Sequence, residues 1–215
     1  MEVSAGYSKP RTVVLIGHSF IRRLGVLINN EREFNNLRLQ KDKFEVIIRA
    51  RGGLRTHELA NSRELLDFQD IHTEGGICFI QIGGNDLSDP RSTPNIVVRQ
   101  IMALAQFLLL TKNFSYVVIG QLLRRNPSKV GSQYNYKVID TNKLLHDQCH
   151  SSTSNLIFWH HRGFWDPDMK YLARDGVHLK DSSHDHRFMN KYLQSIKSAV
   201  LHASHLIGRE RNKDK

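Results

Sequence analysis

Apolar and polar positions along the chain alternate between two periods, one of two residues and one near 3.6. Thr12 to Ile16 is a β-branched run that ends at Gly17, and Phe20, Leu24, Leu27 and Ile28 then recur at helical spacing. This predicts a strand, a tight turn and a helix in succession. The pattern returns at Phe44 to Ile48, followed by a helix-like stretch holding Leu59, Leu65, Leu66 and Phe68, and again at Ile77 to Ile82, followed by Ile96 to Leu110. Tyr116 to Ile119 precedes a helical segment around Tyr136 to Leu145, and Leu156 to Trp159 precedes a last helix near Phe188 to Leu201.

Regular strand–helix alternation predicts an α/β fold with about five mainly parallel strands and helices on both faces, because right-handed crossovers deliver each strand beside its neighbour. Ligands bind such sheets at the carboxyl ends of the strands. One folded domain is expected over residues 11–207, with a flexible tail at 1–10 and a basic tail at 208–215.

A content of 40% hydrophobic and 24% charged residues is that of a globular protein and excludes a disordered chain. Only Cys78 and Cys149 occur, so no disulfide framework is expected and a reducing compartment suits the chain. The first nine residues lack the apolar stretch of a secretory signal, and every apolar run falls short of the ~20 residues of a membrane span. An intracellular protein, cytoplasmic or nuclear and without a transmembrane segment, is the expectation. Thirty-one Lys and Arg against 21 Asp and Glu give a formal charge of +10, which makes nucleic acid a candidate partner. The basic residues are scattered, however, and form no recognisable nucleic-acid motif, so solvated surface is the simpler reading.

Four short signals fall just after expected strands, where loops rise on the ligand-binding side: Gly17-His18-Ser19, Arg51-Gly52-Gly53, Gly83-Gly84-Asn85-Asp86 and, near the end, Asp175-Gly176-Val177-His178. Ser19 stands at a strand-to-helix turn, where its N–H can face a developing oxyanion; a helix cap is the simpler role for a serine there. The Gly-x-Ser-x-Gly elbow is absent, since Ile21 stands where its last glycine would be. A serine hydroxyl needs a base, normally an imidazole oriented by a carboxylate. His178 with Asp175 three residues before it meets that requirement, although Asp-Gly is also an ordinary turn signal. An amide such as Asn85 and the backbone N–H of a glycine can supply further donors to the oxyanion. Asp86 suits a structural role in the loop that carries Asn85.

Taken in order, Ser19, Gly53, Asn85 and Asp175/His178 resemble the four blocks of the SGNH hydrolases, also called GDSL-like esterases and lipases. The resemblance spans about Thr12 to Leu201. It implies a flavodoxin-like three-layer α/β/α sandwich, with Ser19 as nucleophile, His178 as base, Asp175 as its partner, and an oxyanion hole of Ser19 N–H, Gly53 N–H and Asn85. Gly53 is the better match than Gly52, because Thr56 follows it as in the Gly-x-x-Thr block. The implied activity is that of a serine esterase cleaving an acetyl or short-acyl carboxylic ester, with a small ester as substrate, no cofactor and no metal. His18 stands where the family usually has Asp, and a neutral, supporting imidazole is expected there.

Arg124 and Arg125, after the fourth strand, are expected on the active face, where with His18 and Gly52 they are candidate substrate-binding residues favouring an anionic substrate. His160-His161 and His184-Asp185-His186 lack the spacing of known zinc motifs and read as solvated loops. Trp159, Phe164 and Trp165 are expected to close the core and the floor of the last loop. The alternative to an esterase is a basic accessory domain of the same fold that binds nucleic acid with little or no catalysis, as in mobile-element proteins.

Overall fold

The computed structural model describes residues 9–151, 155–182 and 185–212. Five strands form one parallel sheet: β1 (Arg11–Gly17), β2 (Phe44–Ala50), β3 (Ile77–Gln81), β4 (Tyr116–Gly120) and β5 (Leu156–Trp159), in the order β2-β1-β3-β4-β5. The central strands are apolar almost throughout because both of their faces are covered, as parallel sheets require. Along β1, Val13 and Leu15 face one layer and Val14 and Ile16 the other, and all four are fully buried.

The first layer holds α1 (Ser19–Asn30) and α6 (Arg187–Arg211). Phe20, Leu24, Leu27 and Ile28 of α1, and Met189, Tyr192, Leu193, Ile196, Ala199, Val200, Ala203 and Ile207 of α6, supply the buried stripes at helical spacing. The opposite layer is built from α2 (Thr56–Ala60), α3 (Pro94–Leu110) and α5 (Tyr134–Ser151), with a single turn, α4 (Pro127–Val130), leading into α5. This is the expected three-layer α/β/α arrangement. The chain runs from β1 outward to β2 and then returns past β1 to β3, so the order reverses between β1 and β3. Ser19 follows the first of these strands and Asn85 the second, which sets both at the crevice where such folds bind ligands.

Three elements differ from expectation. The stretch containing Leu59, Leu65, Leu66 and Phe68 is helical only over Thr56–Ala60 and continues as turns in which the last three remain buried. Ser62 Oγ accepts the Leu65 N–H and Asp67 Oδ1 the Gln69 N–H, so short polar side chains take the backbone donors that a longer helix would have used. The last helix runs on through Gly208 to Arg211, four residues into the segment read as a tail, while residues 213–215, like 1–8, lie outside the described residues.

The third departure is a 3-10 segment, Arg32–Arg38, between α1 and β2, in which Asn36, Leu37 and Arg38 adopt φ of 53°, 55° and 56°. Asn36 uses its side chain on the edge strand: Nδ2 donates to Leu39 O and Phe44 O, and Oδ1 accepts the Val46 N–H. No helix among the described residues is long and apolar enough to cross a membrane.

Candidate active site

The turn from β1 into α1 sets Ser19 at the first position of the helix. Gly17 is required there by close packing, since a Cβ on it would lie 2.3 Å from the carbonyl oxygen of Gln81 on the neighbouring strand. His18 is the helix cap: its Nδ1 accepts the Phe20 N–H at 3.4 Å and its own N–H donates to Gln81 O. The cap that sequence offered to Ser19 is therefore supplied by His18, and the serine hydroxyl is left for another partner. Burial, with a smaller push from the Arg125 charge and from His178, holds the His18 imidazole down at about 3 and hence neutral.

That partner is His178, whose Nε2 lies 2.9 Å from Ser19 Oγ. On the far side of the ring, Nδ1 lies 2.7 Å from Asp175 Oδ2. Asp175 Oδ1 accepts the backbone N–H groups of Val177 and His178, which fixes the turn that presents both side chains. Burial acts to raise the Asp175 carboxyl, but the bonds from His178 and Val177 outweigh it and hold the group well below the usual carboxylate range. An ionised Asp175 only accepts, so Nδ1 carries the proton; in the neutral ring Nε2 is then an acceptor and Ser19 Oγ–H donates to it. Phe20 packs edge-on against both His18 and His178.

The loops after β2 and β3 meet each other, Asn85 reaching across to Leu54. Gly53 has φ of 74°, a conformation side chains resist, and a Cβ there would meet nothing; the backbone shape rather than crowding asks for glycine. Asn85 Nδ2 donates to Leu54 O at 3.0 Å, tying the two loops together. Asp86 takes the structural part expected of it and binds Thr56 at the start of α2, the residue that matched the second block. Gly52, exposed, lies beside Arg22, whose Nε is 3.5 Å from where a Cβ would stand.

The two arginines after β4 point to different partners within the protein. Arg125 is only 4% exposed, and its guanidinium donates to Asn85 Oδ1 at 3.0 Å and Ser88 Oγ at 3.1 Å, so its donors serve protein acceptors. Arg124 lies 4.2 Å above the ring of Trp165. Trp165 is accordingly a surface residue, 36% exposed, and does not close the core as Phe164 does. Beside it a groove of about 520 Å3 opens at the ends of β4 and β5, lined by Lys143, His146, His160, Arg162 and Trp165 among others and separate from Ser19.

His161 is the clearest correction to the sequence reading, being 1% exposed rather than part of a solvated loop. Its Nε2 lies 3.1 Å from Gln81 Oε1 and its Nδ1 2.8 Å from Ser195 Oγ, while Tyr192 Oη–H also donates to Gln81 Oε1. Trp159 Nε1 donates to Ser195 Oγ, and the His161 N–H to Gln121 Oε1. The sequence signal for this network is Gln81, a lone polar residue in an apolar strand, because a buried amide must find partners. His184 lies outside the described residues; His186 pairs with Asp181 at 2.6 Å. Among the described residues no group of three or more His, Cys, Asp or Glu is placed to hold a metal ion.

No protein-family profile and no curated protein matches the chain. Solved structures do. A GDSL-like lipase from Bacteroides thetaiotaomicron superposes with a TM-score of 0.66 at 16% identity over 91% of this chain and 92% of the other. A carbohydrate esterase family 3 protein from Talaromyces cellulolyticus gives 0.64 at 11% identity over 93% and 99%. An acetyl xylan esterase, AlAXEase, gives 0.61 at 17% identity over 88% and 99%. The chain therefore has the fold of the GDSL-like lipases and SGNH-type esterases.

Proposed function

We propose that this chain, built on the fold of the GDSL-like hydrolases, is a serine esterase that cleaves a carboxylic ester of an acetyl or other short acyl group. The observation that carries the reading is the continuous relay Ser19 Oγ to His178 Nε2 at 2.9 Å and His178 Nδ1 to Asp175 Oδ2 at 2.7 Å. Three residues from two distant parts of the chain meet in the order that nucleophilic attack needs. The esterases and lipases of the same fold support it.

In this reading His178 takes the Ser19 proton as Oγ attacks the ester carbonyl. The negative charge that develops on the carbonyl oxygen is met by the Ser19 and Gly53 N–H groups and by Asn85 Nδ2. His178 then returns the proton to the leaving alcohol, and water repeats the sequence on the acyl-enzyme. Asp175 stays ionised throughout and steadies the imidazolium that forms.

The test is hydrolysis of p-nitrophenyl acetate by wild type and Ser19→Ala, with fluorophosphonate labelling of both. The expected result is activity and labelling that vanish together with Ser19. A Ser19→Ala protein as fast as wild type would end the proposal.

A further inference from the structure

Arg125 holds a buried positive charge that the relay does not use. Its guanidinium makes no ion pair with any described carboxylate; its neighbours are Asn85 Oδ1, Ser88 Oγ and the ring of Tyr134, 5.1 Å from its centre. Burying a cation without a counter-charge is costly, and a neutral residue would fill the same space at less expense. One of its two hydrogen bonds runs to Asn85.

The Asn85 amide is gripped from both ends. Its oxygen accepts from Arg125 Nη2 at 3.0 Å, and its nitrogen donates to Leu54 O at 3.0 Å. Turned over, the amide would set its NH2 against the guanidinium and its oxygen against the Leu54 carbonyl, opposing donor to donor and acceptor to acceptor. Only one orientation satisfies both neighbours. In it one Nδ2 hydrogen is committed to Leu54 and the other is left over.

We infer that Arg125 is the positioning residue of the oxyanion hole: by holding and polarising the Asn85 carbonyl, it aims the remaining amide hydrogen and strengthens it as a donor. The inference rests on the esterase reading above. A cation bonded to the amide oxygen withdraws charge from the nitrogen, and chained hydrogen bonds reinforce one another in this way. The gain is largest when the substrate oxygen becomes negative, so it belongs to kcat rather than to KM.

A mere brace for the loop after β3 would use the same contacts, and a double-mutant cycle separates the two. Values of kcat and KM for p-nitrophenyl acetate are measured for wild type, Arg125→Met, Asn85→Ala and the double variant, with thermal midpoints for each. Arg125→Met should lower kcat about 10- to 100-fold with KM within about twofold. In the Asn85→Ala background the same substitution should change kcat less than about twofold. An equal loss in both backgrounds, or none in either, overturns the inference.

Should Arg125→Met fail to fold, Arg125→Lys and Ser88→Ala decide. Arg125→Lys, which keeps the charge without the fork, should keep more kcat than Ser19→Ala and less than wild type. Ser88→Ala, which removes only the brace, should leave kcat within about twofold. A Ser88→Ala loss as large as that of Arg125→Lys overturns the inference. The side-chain amide resonances of Asn85, assigned by their loss in Asn85→Ala, give a readout free of activity: they should shift in the Arg125 variants and stay in Ser88→Ala. An inert, unlabelled wild type would refute the esterase reading, whereas an active wild type with unmoved Asn85 resonances would refute this inference alone.

Discussion

Asp86 and Thr56 join loops that rise from different strands: the Thr56 N–H lies 3.0 and 3.1 Å from the two carboxylate oxygens, and its hydroxyl donates to one of them at 3.1 Å. Both residues are buried, and together they hold the loop after β2, with Gly53, against the loop with Asn85. Replacing Asp86 by Ala leaves the Thr56 donors without an acceptor and should cost about 2–3 kcal/mol of stability. Urea unfolding measures it. A loss below ~0.5 kcal/mol would show that the two loops hold their places without this contact.

Asp175→Asn tests the relay without emptying it. The amide can present its NH2 to Nδ1 and so favour the wrong tautomer, leaving a proton on Nε2 where Ser19 needs an acceptor. A fall in kcat of about 10^3 to 10^4 is expected, with the fold intact by circular dichroism. A variant within about tenfold of wild type would mean that His178 does not depend on Asp175 for its orientation.

Acid should destabilise the protein well above the range of ordinary carboxylates. His18 and His161 are both held at about 3, chiefly by burial, against the ordinary imidazole value of 6.5. Between those values the unfolded chain binds protons that the folded one does not. Stability is therefore complete above about 6.5 and is lost as pH falls toward 3. Two such groups give a slope of at most about 2.7 kcal/mol per pH unit. Asp175, held low, adds a loss in the same direction below the usual carboxylate range, and Asp86, raised by burial, opposes it just above that range. Urea midpoints from pH 7.5 to 4.5 should fall, and in His161→Gln the fall should be roughly halved. A midpoint that does not move would remove both histidines from the account.

His161→Ala, at pH 7.5, should cost about 2–4 kcal/mol, because it opens a cavity and takes one hydrogen-bond partner each from Gln81 and Ser195, which keep Tyr192 and Trp159. Its effect on kcat should be small by comparison, since His161 touches neither Ser19 nor His178. A kcat loss as large as that of Ser19→Ala would tie the network directly to the chemistry.

How much of this was legible depended on whether a signal was local. The step from Thr12–Ile16 to Phe20, Leu24, Leu27 and Ile28 changes period within a few residues, and β1 and α1 follow it. Asp175 and His178 are written three apart, and the turn brings them together as that spacing suggests. After α2 the local signal fails: Leu65, Leu66 and Phe68 are buried by tertiary contacts in turns, and apolar spacing alone reads the same in a turn as in a helix. Arg125 is hidden for a different reason. Its partners, 37 and 40 residues away, both come from the loop after β3, and a basic residue in a loop gives no sign that it will be buried.

Asn36 has a consequence for how the sheet meets other molecules. Among the described residues β2 is the last strand on its side of the sheet, and the outer side of such a strand carries a row of backbone donors and acceptors on which a foreign strand can nucleate. At its beginning that row is already occupied, since Phe44 O and Val46 N–H both bond to the Asn36 side chain. An incoming strand would have to evict a side chain that makes three hydrogen bonds, and whose own backbone is held in the left-handed region, before it could pair. One asparagine thus plugs the start of the sheet's open seam and keeps this end of β2 from serving as a template for a second chain.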